Sequence, residues 1–262
     1  MAAARFEDDQ RARVTVAGES LEYCWVGPSS ALATLVFLHE GLGSIDLWRD
    51  FPTQLCAASS RRGLLYSRMG NGWSDPLTAP REPYYMHREA LTVLPEVLES
   101  MVRGVPILIG HSDGASIAVI AAGSSQMPIG LVLIAPHVFV EDVGLEAIAR
   151  SREGFIDSDV PTRMAKYHSD PAATFWGWND IWLSPAFRDW NLEQYLPAIT
   201  CPVLLVQGDA DEFGTTAQLD SIESHVQGPV ERVMVPGAGH SPHLAEPDLV
   251  TGAIAKFLAG LS

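Results

Sequence analysis

The residues best suited to chemistry lie in four glycine-rich turns. In Gly110-His111-Ser112-Asp113-Gly114 a serine stands between glycines, after an apolar run at residues 105–109 and before a helix-like pattern from residue 115. A tight strand-to-helix turn forces such a serine into a strained backbone conformation, and its small neighbours are needed because a Cβ there would collide with the chain. The helix start aims free N–H groups and the positive end of its dipole at charge developing near Ser112. Alone, Ser112 could be no more than a helix cap. A serine hydroxyl is a weak nucleophile without a base, so the chemistry demands a histidine and an acid. Both follow in the order serine, acid, histidine. Gly208-Asp209-Ala210-Asp211 places two carboxylates in one turn, and Gly237-Ala238-Gly239-His240-Ser241-Pro242-His243 places two histidines in another. Asp209 and Asp211 compete as the acid. His240, directly after the glycine turn, is better placed than His243, which reads as a packing residue. The fourth turn, His39-Glu40-Gly41-Leu42-Gly43, can present a backbone N–H which, with that of Asp113, would hold a developing oxyanion.

These turns need strands to hold them. Apolar, β-rich runs at residues 13–17, 21–26, 33–38, 63–66, 105–109, 131–135, 203–207 and 230–235 alternate with helix-like spacing at 47–58, 84–101, 115–122, 216–225 and 247–261. Such alternation marks a mostly parallel sheet covered by helices on both faces. Gly18-Glu19-Ser20 joins the first two runs as a hairpin. Each reactive turn then falls at the carboxyl end of a strand, the edge where open α/β sheets bind ligands. Residues 140–197 break the alternation. They contain no strand-like run but hold Trp176, Trp178, Trp182 and Trp190, and a structureless loop of that length is improbable in a compact domain. The expectation is a core of residues 1–139 and 198–262 with a helical lid at 140–197. Trp176, Trp178 and Trp182 of the lid, with Glu40 and His137, would line a substrate pocket.

The bulk properties narrow the class. The 262 residues are 47% hydrophobic and 19% charged, enough to bury a sizeable core. A net charge of -15, without clustered Lys or Arg, argues against nucleic acid or an anionic membrane as partner. Cys24, Cys56 and Cys201 have neither disulfide-like nor metal-like spacing, and read as reduced thiols in a cytoplasmic protein. No leader is legible in the first residues, and no apolar run reaches bilayer-spanning length.

Together these residues resemble the α/β-hydrolase family. The resemblance rests on the HEGLG turn after the third strand, a Y-S-R-M-G-N-G-W-S turn after the fourth, the GHSDG elbow, the Asp211 turn and the His240 loop, and it covers nearly the whole chain. It implies an eight-stranded α/β-hydrolase fold, with Ser112 as nucleophile, Asp211 as acid, His240 as base and Gly41 and Asp113 as oxyanion donors. Two positions depart from the family pattern: Glu40 replaces the usual glycine after His39, and Ser67 the usual aspartate after Tyr66. The elbow, with an acid after the serine, is similar to that of the valacyclovir hydrolase and biphenyl hydrolase-like group, which implies that Asp113 recognises a substrate amino group. Its competing explanation is local, a carboxylate favoured in the first turn of a helix. The expected activity is hydrolysis of a carboxylic ester, thioester or lactone of a small to medium, apolar or aromatic acyl compound. It would proceed without metal or cofactor, by a monomer or homodimer. The same machinery also serves amide and carbon–carbon bond hydrolysis, acyl transfer and cofactor-free oxidation, or a ligand-binding receptor. Epoxide hydrolase and dehalogenase chemistry is disfavoured, since those enzymes place aspartate where Ser112 stands.

Overall fold

The computed structural model describes residues 11–124 and 128–261. The leader reading concerns residues 1–10, outside the described part. The strands are β1 Arg11–Val16, β2 Glu19–Val26, β3 Leu35–Leu38, β4 Gly63–Tyr66, β5 Ile107–His111, β6 Gly130–Ile134, β7 Val203–Gly208 and β8 Val230–Val235. They form one sheet in the order β1-β2-β4-β3-β5-β6-β7-β8. β2 pairs antiparallel with β1 and β4, and every other pair is parallel. β3 to β7 are buried throughout, as expected of parallel strands covered on both faces. Leu, Val and Ile accordingly dominate them, with β3 the unbroken apolar run Leu35-Val36-Phe37-Leu38.

The helices are α1 Phe51–Ser59, α2 Tyr85–Arg88, α3 Leu94–Met101, α4 Asp113–Ala122, α5 Asp142–Asp157, α6 Val160–Met164, α7 Pro171–Trp182, α8 Ala217–His225, α9 Pro242–Ala245 and α10 Pro247–Ala259. α1 and α10 cover one face of the sheet, and α3, α4 and α8 the other. Among the described residues no helix is long and apolar enough to cross a membrane.

Four local expectations are corrected. The hairpin turns on Ala17-Gly18, both at positive φ (49° and 77°), because a two-residue turn of that shape matches strand twist. The helix expected over 47–58 is split: a 3-10 turn covers Ile45–Trp48, Arg49 has φ 55°, and α1 begins beside Pro52. The helix expected over 84–101 runs from Tyr85 to Met101 but is π-wound at Glu89–Val93. β5 extends to His111, so that Ser112 follows the last paired residue directly.

The segment between β6 and β7 holds α5, α6, α7 and two 3-10 turns, Pro185–Phe187 and Glu193–Ala198. Within it, Phe139 and Asn191 form an isolated antiparallel bridge that ties its two ends together. α7 is fastened to the loop after β4: Thr174 Oγ1 donates to Gly70 O at 2.7 Å, Ser169 N to Gly72 O at 2.9 Å and Gly72 N to His168 Nδ1 at 3.0 Å. That loop is held in turn by Glu22 of β2, whose carboxylate accepts from Ser67 Oγ at 2.6 Å and from Trp73 N at 2.9 Å. Where the family usually carries an aspartate at position 67, this chain supplies the carboxylate from the neighbouring strand.

The backbones of α4 and β3 approach closely. A Cβ on Gly114 would stand 1.9 Å from the Leu38 carbonyl oxygen. Gly114→Ala is therefore expected to cost more than about 3 kcal/mol, since backbone must give way. Gly154→Ala, in α5 with nothing within 4 Å, should be neutral or stabilise by up to about 1 kcal/mol. Denaturant midpoints for the pair check this, and similar midpoints would contradict it.

Candidate active site

Ser112 sits at φ 52° and ψ -118°, a conformation that L residues rarely adopt and that must be imposed by surroundings. The imposition is visible. Ser112 N donates to Ile134 O of β6 at 2.9 Å, and a Cβ on Gly110 would lie 2.4 Å from Gly114 O. α4 starts immediately, so the Asp113 N–H has no acceptor within the helix. The Ser112 side chain makes no cap hydrogen bond, against the helix-cap alternative. Its Oγ lies 2.9 Å from His240 Nε2.

The turn after β7 and the loop after β8 are locked together. A Cβ on Gly208 would lie 2.0 Å from Ala238 O, so the two backbones touch. Asp209 Oδ1 accepts from Gly237 N at 2.6 Å, Ala210 N donates to Ala238 O at 3.0 Å, and Glu212 Oε2 accepts from His240 N at 3.2 Å. Asp211 receives His240 Nδ1 at 2.9 Å on Oδ1 and 3.1 Å on Oδ2. It also accepts from Phe213 N at 2.9 Å and Gln207 Nε2 at 3.3 Å. Of the two competing acids, Asp211 thus reaches the imidazole and Asp209 ties backbone. Burial pushes the Asp211 carboxyl up, but the hydrogen bond and charge of His240 and the Phe213 N–H outweigh it and hold it below the usual range. With a carboxylate at Nδ1, the imidazole carries its proton there and turns its Nε2 lone pair to the serine hydroxyl.

Other histidines crowd this centre. His111 Nε2 donates to the His240 carbonyl at 2.8 Å, and its Nδ1 lies 3.5 Å from Glu40 Oε2. His243 packs on Trp48, Phe51 and His111, the packing role expected. His137 stands 5.5 Å from His240, ring to ring. Burial, and then the nearby His240, lower the His137 imidazole to about 3, so it stays neutral at physiological pH. His39 donates from Nδ1 to Glu40 O at 2.6 Å and accepts the Arg68 N–H on Nε2 at 3.0 Å, a fixed neutral tautomer.

A cavity of about 190 Å³ opens over Ser112. Ser112, Asp113, Gly41, Glu40, His137 and His240 form its reactive end, and Leu42, Ile148, Trp178, Trp182 and Phe213 its apolar walls. Trp178 packs so closely on Gly41 that a Cβ there would lie 2.2 Å from the indole. Trp176 is corrected: it faces an outer groove, edge-on to Phe155 and under the Arg152 guanidinium. Residues 175, 178 and 182 share the inner face of α7, and position 176 points about 160° away from 178 at 100° per residue. The Asp113 carboxylate is buried. Tyr85 Oη donates to its Oδ2 at 2.5 Å, and Oδ1 and Trp182 Nε1 are both sealed from solvent without a close hydrogen bond. Burial raises the Asp113 carboxyl against the lowering effect of the Arg68 charge.

Several contributors have no signature in the sequence. Gln207, Glu212, Tyr85, Arg68 and Asn71 act through contacts that only the folded chain creates. Arg68 and Asn71 carry a hint, since both lie in the Y-S-R-M-G-N-G-W-S turn after β4.

Residues 35–253 match the alpha/beta hydrolase family. The chain belongs to that family. Serine hydrolase BPHL of Mus musculus is 25% identical over 264 residues, covering 94% of this chain and 86% of that protein. Epoxide hydrolase A of Mycobacterium tuberculosis is 33% identical over 82 residues, 30% of this chain and 26% of that protein. Among solved structures, the enol-lactonase from Burkholderia xenovorans LB400 has a TM-score of 0.76 at 18% identity, covering 95% of this chain and 100% of that one.

The buried histidines set an acid limit on stability. Burial holds His137 at about 3 and His168 at about 4, and puts His39 and His243 well below their ordinary value. Unfolded histidines take protons near pH ~6.5, so between that pH and the folded values the unfolded state binds more protons. Stability is therefore complete above pH ~6.5 and falls with decreasing pH, by about 2 kcal/mol at pH 5 for each of His137 and His168, with His39 and His243 acting in the same direction. Urea midpoints should drop steeply between pH 7.5 and 5, and less steeply in His168→Gln. Equal midpoints at the two pH values would contradict the assignment.

Proposed function

We propose that the protein hydrolyses a carboxylic ester, thioester or lactone of a small to medium, apolar or aromatic acyl compound through an acyl-enzyme on Ser112. The observation that carries this is the 2.9 Å contact between Ser112 Oγ and His240 Nε2 at the floor of an apolar-walled cavity, with Asp211 behind the imidazole. As Ser112 Oγ bonds to the carbonyl carbon, its proton passes to His240 Nε2. Asp211 holds the tautomer and stabilises the imidazolium. The carbonyl oxygen, now an oxyanion, is held by the backbone N–H groups of Gly41 and Asp113. His240 then protonates the departing oxygen or sulfur, takes a proton from water, and the resulting hydroxide equivalent releases the acid. No step calls for a metal or cofactor.

Residues 140–197 are read as a lid, because Trp178 and Trp182 of α7 and Ile148 of α5 supply the apolar walls. The cavity volume favours a compact acyl group. The resemblance to the mouse serine hydrolase BPHL over nearly the whole chain agrees with a serine nucleophile. An amino-group site at Asp113 is not part of the proposal, since that carboxylate is buried and already receives Tyr85 Oη. The buried, free cysteines suit a cytoplasmic setting.

An ester, thioester and lactone panel on wild type and Ser112→Ala tests the reading, with turnover in the variant expected to fall at least ~10³-fold. Activity that survives in the variant would sink it. The acid assignment has its own check. Asp211→Asn should lower kcat by ~10³ to 10⁴ through the wrong tautomer, while Asp209→Asn should chiefly lower stability. The reverse ranking would assign the acid to Asp209.

A further inference from the structure

The turn that carries the Gly41 N–H is gripped from behind by a buried cation. Arg68, 1% exposed, spreads its guanidinium over two successive carbonyls, donating from Nη1 to His39 O at 2.5 Å and from Nη2 to Glu40 O at 2.9 Å. The Glu40 carbonyl also accepts from His39 Nδ1 at 2.6 Å and Gly43 N at 3.0 Å. Asn71 Nδ2 donates to the next carbonyl, Gly41 O, at 3.1 Å and to Gly43 O at 2.9 Å. Among the described residues no carboxylate lies within 4 Å of the Arg68 guanidinium. Its guanidinium hydrogen bonds therefore go to peptide oxygens.

Two consequences follow from peptide geometry. No described peptide bond is cis, so the Gly41 N–H is antiparallel to the Glu40 carbonyl. Fixing that carbonyl on Arg68 points the N–H the opposite way, on the side where Gly41 lines the cavity with Ser112. A carbonyl that accepts three hydrogen bonds, one from a guanidinium, also withdraws electrons from its own amide nitrogen and makes the N–H a stronger donor. We propose that Arg68 is a positioning residue for oxyanion stabilisation: it orients and polarises the Glu40–Gly41 peptide so that the Gly41 N–H binds the tetrahedral intermediate more strongly than the ground-state carbonyl. This rests on the Ser112 acyl-enzyme reading.

The test compares an ester with its thionoester, whose sulfur accepts hydrogen bonds poorly, in wild type, Arg68→Met and Arg68→Lys. In Arg68→Met, kcat for the ester should fall about tenfold to a hundredfold, short of the ~10² to 10³ lost with a whole donor, with KM little changed. The thionoester rate should fall less, so that the ester-to-thionoester ratio shrinks. Arg68→Lys, which keeps the cation, should recover part of the ratio. An equal fall for both substrates, or no fall, would overturn the proposal and leave only a packing role. If Arg68→Met does not fold, two measurements still decide. The Arg68→Lys ratio should lie below the wild-type ratio, and the Gly41 amide proton of the wild type should resonate downfield of the other glycine amides. An unshifted resonance contradicts polarisation. Activity that persists in Ser112→Ala would instead remove the underlying reading, an outcome separate from any change in the ratio.

Discussion

The approach of α4 to the strand ends at Gly110 and Gly114 is the constraint on which the rest depends. Ser112 occupies φ 52° because β5 ends on a residue paired to β6, and α4 must begin at once to pack across β3. With Gly110 and Gly114 touching backbone, no side chain can wedge the elbow open. The strain at Ser112, of order 1–3 kcal/mol, is carried by a sheet whose central strands are buried on both faces. What the strain achieves is placement: the hydroxyl stands clear of its own helix, at the edge where the other strands deliver their turns.

The second partnership is that of the β7 turn with the β8 loop. Asp209, Ala210, Asp211 and Glu212 each contact residues 237–240, one through its backbone and three through carboxylates. The carboxylates on either side of Asp211 spend themselves on backbone N–H groups, which leaves Asp211 to the imidazole. A loop anchored at four successive points holds the His240 ring without requiring the ring itself to be immobile. Burial keeps His137, His243 and His39 neutral, so these three add no standing positive charge near the His240 ring.

How much of this was legible in the sequence follows from distance along the chain. The elbow, the acid turn and the histidine loop were readable because each is a local pattern at a strand end, where glycine, small residues and one reactive side chain fall within a few positions. Asp211 could not be separated from Asp209 on residues alone, since both lie in one turn and only the reach of the His240 ring distinguishes them. Trp176 was misplaced because composition gives no face, whereas the 100° step of α7 turns it outward. Ser67 looked like a loss until β2 put Glu22 beside it. The grip of Arg68 on the oxyanion turn joins residues nearly thirty positions apart, which no local pattern encodes.

The central claim is that Ser112 is made nucleophilic by His240 and by no other group. Mass spectrometry of the protein after reaction with a fluorophosphonate measures this most directly, because the reagent bonds only to an activated hydroxyl and the adduct can be placed on one residue. The account predicts a single stoichiometric adduct on Ser112 in the wild type and none after the same exposure of His240→Ala. An adduct on a different serine, or labelling of Ser112 undiminished by His240→Ala, would contradict it.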